Sequence, residues 1–264
     1  MVKKNPFHLV ERRPWPIAVS FSIFCLLLNL VFFFHNMIMI FWVFFFFFFL
    51  SFFLFFWWRD VVLESFVGYH KNFVINKFYV GMLLMIISEV FFFFRFFWAF
   101  FHKCWFPGIE LGSVWPPKFM KAYLVDSFSV PLLNTILLLS SGVTITWAHH
   151  RLLKRKEFFF NFRLFITISL GIFFLFFQNF EYSNLKFSFK TLIFGSCFYM
   201  LTGFHGGHVI VGTLFLLICL FRSLCYHFSS KHHAGLELAI WYWHFVDVVW
   251  LFLFIFVYLY RRLK

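Results

Sequence analysis

Charge is what this chain has least of. Ten of its 264 residues are Asp or Glu, and all charged residues together make up 12%, against 63% hydrophobic. A soluble domain of this length cannot bury that much apolar surface, which excludes a water-soluble fold. Cysteine is scarce as well. Cys25, Cys104, Cys197, Cys219 and Cys225 are odd in number and form no CxxC, which points away from a disulfide framework and from a thiolate metal site. No internal repeat is visible, and no apolar run carries a clear Gly/Pro break, so two marks of many transporter folds are missing. The start, MVKKNPFHLVERRPWP, has neither the apolar core nor the small-residue cleavage site of a signal peptide, and is no convincing transit peptide.

What is present is long apolar runs over the whole length. Seven are long enough for a membrane helix of about 20 residues: roughly 16–34, 40–57, 78–102, 130–149, 158–179, 191–221 and 236–260. They should be helices, because a helix satisfies its own backbone groups in lipid. The expected fold class is therefore an all-α, polytopic membrane protein of seven transmembrane helices. The Pro116–Pro117 pair marks the longest connection as irregular.

A net charge of +13 would suggest nucleic acid in a soluble protein. Here Lys and Arg sit between apolar runs, where membrane proteins place them, and no nucleic-acid partner is expected. One side receives Lys3, Lys4, Arg12, Arg13, Arg59, Lys71, Lys77, Arg151, Lys154, Arg155, Lys156, Arg222 and Lys231. These outnumber Lys103, Lys118, Lys121, Lys186, Lys190, Arg261, Arg262 and Lys264 on the other, which puts the N-terminus inside and, after seven spans, the C-terminus outside.

Polar residues within the runs are the candidate sites. Glu89 lies about eleven residues, roughly 17 Å, into its span, near the midplane. Two readings stand side by side: a proton-handling or lipid-facing carboxyl, and a protonated acid bonded to a neighbouring helix. Arg95 is off Glu89's face and near the outer end of its span, where a guanidinium snorkels to headgroups. His205 and His208 have helical spacing, but both lie on one side of one helix, and the Gly203-x-x-x-Gly207 pattern favours structural histidines at a close helix contact. His149 and His150 point about 100° apart, a poor pair for one metal. In AIWYWHFVDVVWLFLF, His244 and Asp247 share a face with Trp243 and Trp250 nearby. An aspartate at mid-span costs about 2.5–3.5 kcal/mol on insertion scales. His205, His208, His244 and Asp247 are therefore expected to form a buried polar network, with Asp247 hydrogen-bonded to His244 or an indole.

WYWHFVDVVWLFLF resembles the last helix of the subunit III family of cytochrome c oxidase. The resemblance runs in order through PFHLVERRPWP, WWRDVVLES, GMLLMIISEVFFFFRFFWAFFH, ELGSVWPP, VPLLNTILLLSSGVTITWAHH, GSCFYMLTGFHGGHVIVGTLFLLICLFR and HFSSKHHAGLELAIWYWHFVDVVW, and covers essentially the whole chain. It implies one subunit III domain over 1–264. Within it, 1–57 would hold the tail and two helices, 58–77 an inner-side loop and 78–264 a five-helix bundle, with a V-shaped phospholipid cleft between the two helical parts. It implies no catalytic centre, haem, copper or other metal in this chain, the redox centres lying in partner subunits. It also implies contacts with subunit I and other complex IV subunits, support of electron transport from cytochrome c to oxygen and of coupled proton pumping, and bound phospholipid. Glu89 would be the family's buried carboxyl, and Trp58, Arg59, Glu64, His70 and Arg222 would line the cleft. There are departures: the family usually has small or polar residues where Phe94 and Arg95 stand, a bulky apolar residue at Gly207 and an arginine at Leu63, the last weakening an anionic-lipid role for 58–70.

Other functions remain to be weighed. A proton or ion transporter would be built on Glu89 and Asp247; a dihaem carrier would need two histidines on each of two helices, a pattern this sequence lacks. Phenylalanine is in surplus, with 53 residues including Phe44–Phe49. Lipid tolerates Phe as well as Leu, and Phe codons are thymine-rich, so a thymine-biased organellar genome is expected. That favours the mitochondrial inner membrane, with the N-terminus on the matrix side and the C-terminus in the intermembrane space, over a bacterial plasma membrane. Base composition of the gene tests this: a balanced gene would refute it.

Overall fold

The structure, a computed structural model, describes residue 8 and residues 10–117 and 125–260, with only the backbone of Glu110. Lys3, Lys4, Lys118, Lys121, Arg261, Arg262 and Lys264, counted above in the charge balance, lie outside the described residues. Seven helices account for most of the rest: α1 (Trp15–Phe34), α2 (Ile40–Phe66), α3 (Asn72–Trp105), α4 (Val130–Leu153), α5 (Glu157–Asn184), α6 (Leu192–Leu224) and α7 (Ala234–Leu253). All seven are long and apolar enough to cross a membrane. The helix α7 runs on as a π-helix over Phe254–Leu259, and one 3₁₀ turn covers Ile109–Leu111. No strand occurs among the described residues.

The seven-helix expectation stands, but most helices overrun the expected spans. The correction is largest at 58–77, expected as a loop: α2 continues to Phe66, and only 67–71 is irregular. A helix does not end where lipid ends. Asp60 and Glu64, one turn apart on α2, both find partners in the N-terminal segment, so the polar last turns are held. Four helices, α1, α2, α4 and α6, stop in Schellman motifs. The left-handed residue is Asn36, Gly68, Arg155 or Tyr226, each with the paired 6→1 and 5→2 bonds, such as Met37 N–H to Phe32 O and Asn36 N–H to Phe33 O.

The chain divides into two compact units, 1–80 and 81–264. In unit 1, α1 and α2 pair. Trp15 stacks on Phe56 at 5.5 Å and its indole N–H donates to Asp60 at 2.6 Å. The helix α1 buries only Val19 and Ser22, and α2 buries nothing.

Unit 2 has the core. In lipid the hydrophobic effect does not hold helices together; close packing and hydrogen bonds do. Trp243 of α7 shows how. A Cβ on Gly171 of α5 would come within 2.7 Å of its ring, and one on Gly212 of α6 within 2.9 Å. Its N–H donates to Ser141 Oγ of α4 at 2.9 Å. Seven residues on, two turns along the same face, Trp250 donates to Thr135 Oγ1 of α4 at 3.0 Å. It meets Phe174 of α5 edge-on at 4.8 Å and His205 of α6 at 5.2 Å. The π-helix shifts the register beyond that point, and Tyr258 donates to Glu181 of α5 at 2.9 Å. Along α3, Phe92 packs on Phe204, Phe93 on Phe245 and Phe101 on Phe256.

The Gly203/Gly207 pattern expected to mark the close contact does not. A Cβ at Gly207 would meet nothing within 4 Å, and one at Gly203 only the Tyr182 hydroxyl at 3.9 Å. Close approach falls at Gly171 and Gly212, against rigid rings. Gly171→Ala should therefore lower stability by about 1–3 kcal/mol through overpacking, while Gly207→Ala should be neutral. Thermal unfolding of the purified variants checks this, and an unchanged midpoint for Gly171→Ala would place the close contact elsewhere.

Candidate functional site

Glu89 is near the midpoint of the 34-residue α3. Its side chain, read above as a buried carboxyl or as an acid bonded to a neighbouring helix, is 26% exposed in the isolated chain, and its Oε2 lies 2.9 Å from His208 Nε2 on α6. The other ring nitrogen, Nδ1, is 2.7 Å from the Phe204 carbonyl. A carbonyl only accepts, so Nδ1 carries the proton. In the neutral tautomer Nε2 would then present a lone pair to a carboxylate. The contact therefore requires one further proton, on the imidazole or on the acid, held between α3 and α6. Phe93 and Phe245 wall the ring at 5.1 and 6.4 Å.

The expected network of His205, His208, His244 and Asp247 is not a network. Residues three apart on a helix differ by about 60° in direction, and here that difference separates them. His205 is 1% exposed, packed among Phe174 and Trp250 with neither ring nitrogen hydrogen-bonded, while His208 faces α3. On α7, Asp247 is buried against Gly142 of α4, where a Cβ would come within 2.7 Å of Oδ2. His244 Nδ1 is 3.7 Å from that oxygen, and its side chain is 40% exposed. The indoles of Trp243 and Trp250 bond to hydroxyls instead, and Asp247 Oδ1 has no hydrogen-bond partner. Arg95 is exposed on α3, and Glu89 pairs with His208 rather than with this guanidinium.

Of the five residues expected to line a lipid cleft, four lie in unit 1 and Arg222 in unit 2. Within unit 1, Glu64 and His70 border a cavity of about 350 Å³ with His8, Arg13 and Lys77. Arg13 reaches Glu64 at 2.8 Å and His8 at 3.0 Å, with His8 stacked on Tyr69. Trp58 and Arg59 are exposed and do not line that cavity; Arg59 pairs with Asp60 at 3.1 Å. Arg222 belongs to unit 2, where it covers the Phe228 ring at 4.6 Å. Sequence reading passed over His8 and Arg13, whose partners lie some fifty residues away.

His149, weighed above only with His150, instead meets His233 and Glu237 of unit 2, which the sequence reading passed over; the ligand atoms of the three all lie within 4.8 Å of one another. Within the sequence only His233 and Glu237 have a spacing that could have suggested it.

Seven apolar helices, with ionisable groups paired across helix contacts, define a polytopic helical membrane protein. The family model described as cytochrome c oxidase subunit III matches residues 5–262. The protein named cytochrome c oxidase subunit 3 of Rhipicephalus sanguineus is 49% identical over 247 residues, 93% of this chain and 95% of that one. Those of Branchiostoma lanceolatum and Prototheca wickerhamii are 46% identical over 247 residues (93% of each chain) and 45% identical over 253 (94% and 95%). The chain belongs to the cytochrome c oxidase subunit III family, as the sequence resemblance implied.

His70 lies between α2 and α3, and burial, outweighing the pull of Glu64 and helped by His8, pushes its pKa below the ordinary 6.5. A histidine whose folded value is depressed binds its proton more readily when unfolded. Its contribution to stability is present above 6.5 and lost as pH falls through the folded value. Melting the wild type and His70→Gln from pH 7 to pH 5 should show the steeper loss in the wild type; parallel profiles would contradict this.

Proposed function

We propose that this chain is a structural, lipid-binding subunit of a cytochrome c oxidase. It holds no redox centre; haems and copper reside in partner subunits, subunit I among them. It supports electron transfer from cytochrome c to oxygen and the coupled proton pumping by stabilising the assembly. The observation that carries this reading is the family match over residues 5–262.

The surface supports it. Phe44, Phe47 and Phe48 on α2, Leu84 and Phe91 on α3 and Phe173 and Phe176 on α5 are all more than half exposed, an amount of apolar surface that lipid and neighbouring subunits have to cover. The cavity of unit 1 is bordered by Arg13 and Lys77, cationic groups that suit the phosphate of a phospholipid headgroup. The Lys and Arg bias favours the N-terminus on the matrix side of the mitochondrial inner membrane. A transporter built on Glu89 and Asp247 has less support, because Glu89 is directed at α6 and Asp247 at α4.

Purification of the tagged chain from membranes in mild detergent tests the reading. Haem and copper should co-elute with it, and the chain stripped of its partners should carry neither. Asp247→Ala should lower the yield of assembled complex before it lowers turnover per haem, because it removes the side chain packed on Gly142 and loosens the α4–α7 contact. A variant that assembles fully yet no longer reduces oxygen would show a functional proton site instead.

A further inference from the structure

His149 stands near the C-terminal end of α4, His233 caps α7, and Glu237 follows in α7's first turn. The distance from His149 Nε2 to His233 Nε2 is 3.1 Å. Glu237 Oε1 is 3.0 Å from His233 Nε2 and 3.8 Å from His149 Nε2. His233 Nδ1 is 3.0 Å from the Ser229 carbonyl. That carbonyl accepts, so Nδ1 holds the proton and Nε2 turns a lone pair toward Glu237. A neutral imidazole and a carboxylate cannot share such an edge unless something positive lies between them.

We infer that His149, His233 and Glu237 form a binding site for a divalent transition-metal ion of the Zn²⁺ class. Zinc bonds of about 2.0–2.2 Å at the tetrahedral angle separate neighbouring ligand atoms by about 3.3–3.5 Å, and the three observed separations bracket that range. The Nδ1–H to carbonyl bond is the outer support that metal-binding imidazoles use to fix tautomer and ring direction. Two imidazoles with one carboxylate favour zinc and its neighbours over Mg²⁺ or Ca²⁺, which take oxygen ligands. Three protein ligands leave one tetrahedral position. His149 and Glu237 side chains are each 27% exposed and His233 only 6%, so water can reach that position from one side. A metal there would clamp the end of α4 to the start of α7 and fix the 225–233 connection.

The full-length protein, purified in detergent with the subunits it brings along, is equilibrated with Zn²⁺ and mapped by anomalous scattering at the zinc edge. A peak within bonding distance of all three atoms is expected. Glu237→Gln should weaken Zn²⁺ binding there at least about 100-fold, since losing even an outer partner costs 10- to 100-fold. A wild-type map with no peak at the triad would mean that a proton alone joins these groups, and would overturn the inference. So would a peak of undiminished occupancy in both Glu237→Gln and His149→Gln. If neither variant assembles, the wild-type map still decides. The readout is independent of oxygen reduction, so this site and the oxidase reading stand or fall separately.

Discussion

The indole of Trp243 is the contact on which unit 2 depends. It is fully buried, it fills the notches left by Gly171 and Gly212, and its single donor is taken by Ser141. One flat side chain thus fixes the spacing of α5 and α6 and the register of α4 against α7. The hydroxyl it bonds to is itself held, since Ser141 Oγ donates to the Leu138 carbonyl at 2.7 Å. Trp250 repeats the arrangement two turns away, with Thr135 anchored to the Pro131 carbonyl. Among helices in lipid, where apolar contact alone gives no preference for protein over solvent, rigid plates in glycine notches supply both packing and specificity.

The same economy governs the charged groups. His208 and His233 are built alike: each has Nδ1 against the backbone carbonyl four residues earlier and Nε2 against a carboxylate. That construction fixes the tautomer and makes the imidazole–carboxylate contact depend on a positive charge placed between them. Their settings differ. Glu89–His208 sits near the midpoint of α3, walled by Phe93 and Phe245, with no third ligand atom described, so a proton suffices. His233–Glu237 sits at a helix end, with His149 beside it. Asp247 is the opposite case: the imidazole of His244 is 3.7 Å from one oxygen and the other oxygen has no hydrogen-bond partner, while the carboxylate packs closely on Gly142.

Hydrophobic runs made all seven helices legible, because each span in lipid must be helical and long. The runs also carried the fold class, and the family motifs carried the family. Helix ends were less legible, for two reasons visible in particular residues. Left-handed C-terminal positions here are Asn36, Arg155 and Tyr226, and only Gly68 is a glycine, so the usual glycine stop signal is missing. The end of α2 is polar but still helical, because Asp60 and Glu64 are bonded to distant residues. The polar network failed for a related reason: spacing along one helix tells which residues share a face, not which neighbouring helix that face meets. Nothing in a single sequence places His8 on Glu64 or His149 on His233.

Unit 1 and unit 2 also explain the phenylalanine surplus differently. In unit 2, Phe100, Phe160, Phe174, Phe194 and Phe198 are fully buried, where ring shape is fixed by neighbours and a Phe is there because it fits. In unit 1, the run Phe44–Phe49 belongs to a helix with no buried residue. Its rings meet other rings of the same helix, as in Phe45 against Phe49 at 4.8 Å, and a lipid chain solvates them as well as it would leucine. No packing within this chain, among the described residues, resists a drift toward Phe there. The polar contacts of the α1–α2 pair are local to one end, Trp15–Asp60 and Arg13–Glu64. The identity of most α2 side chains is therefore free to follow base composition, while those two contacts are not.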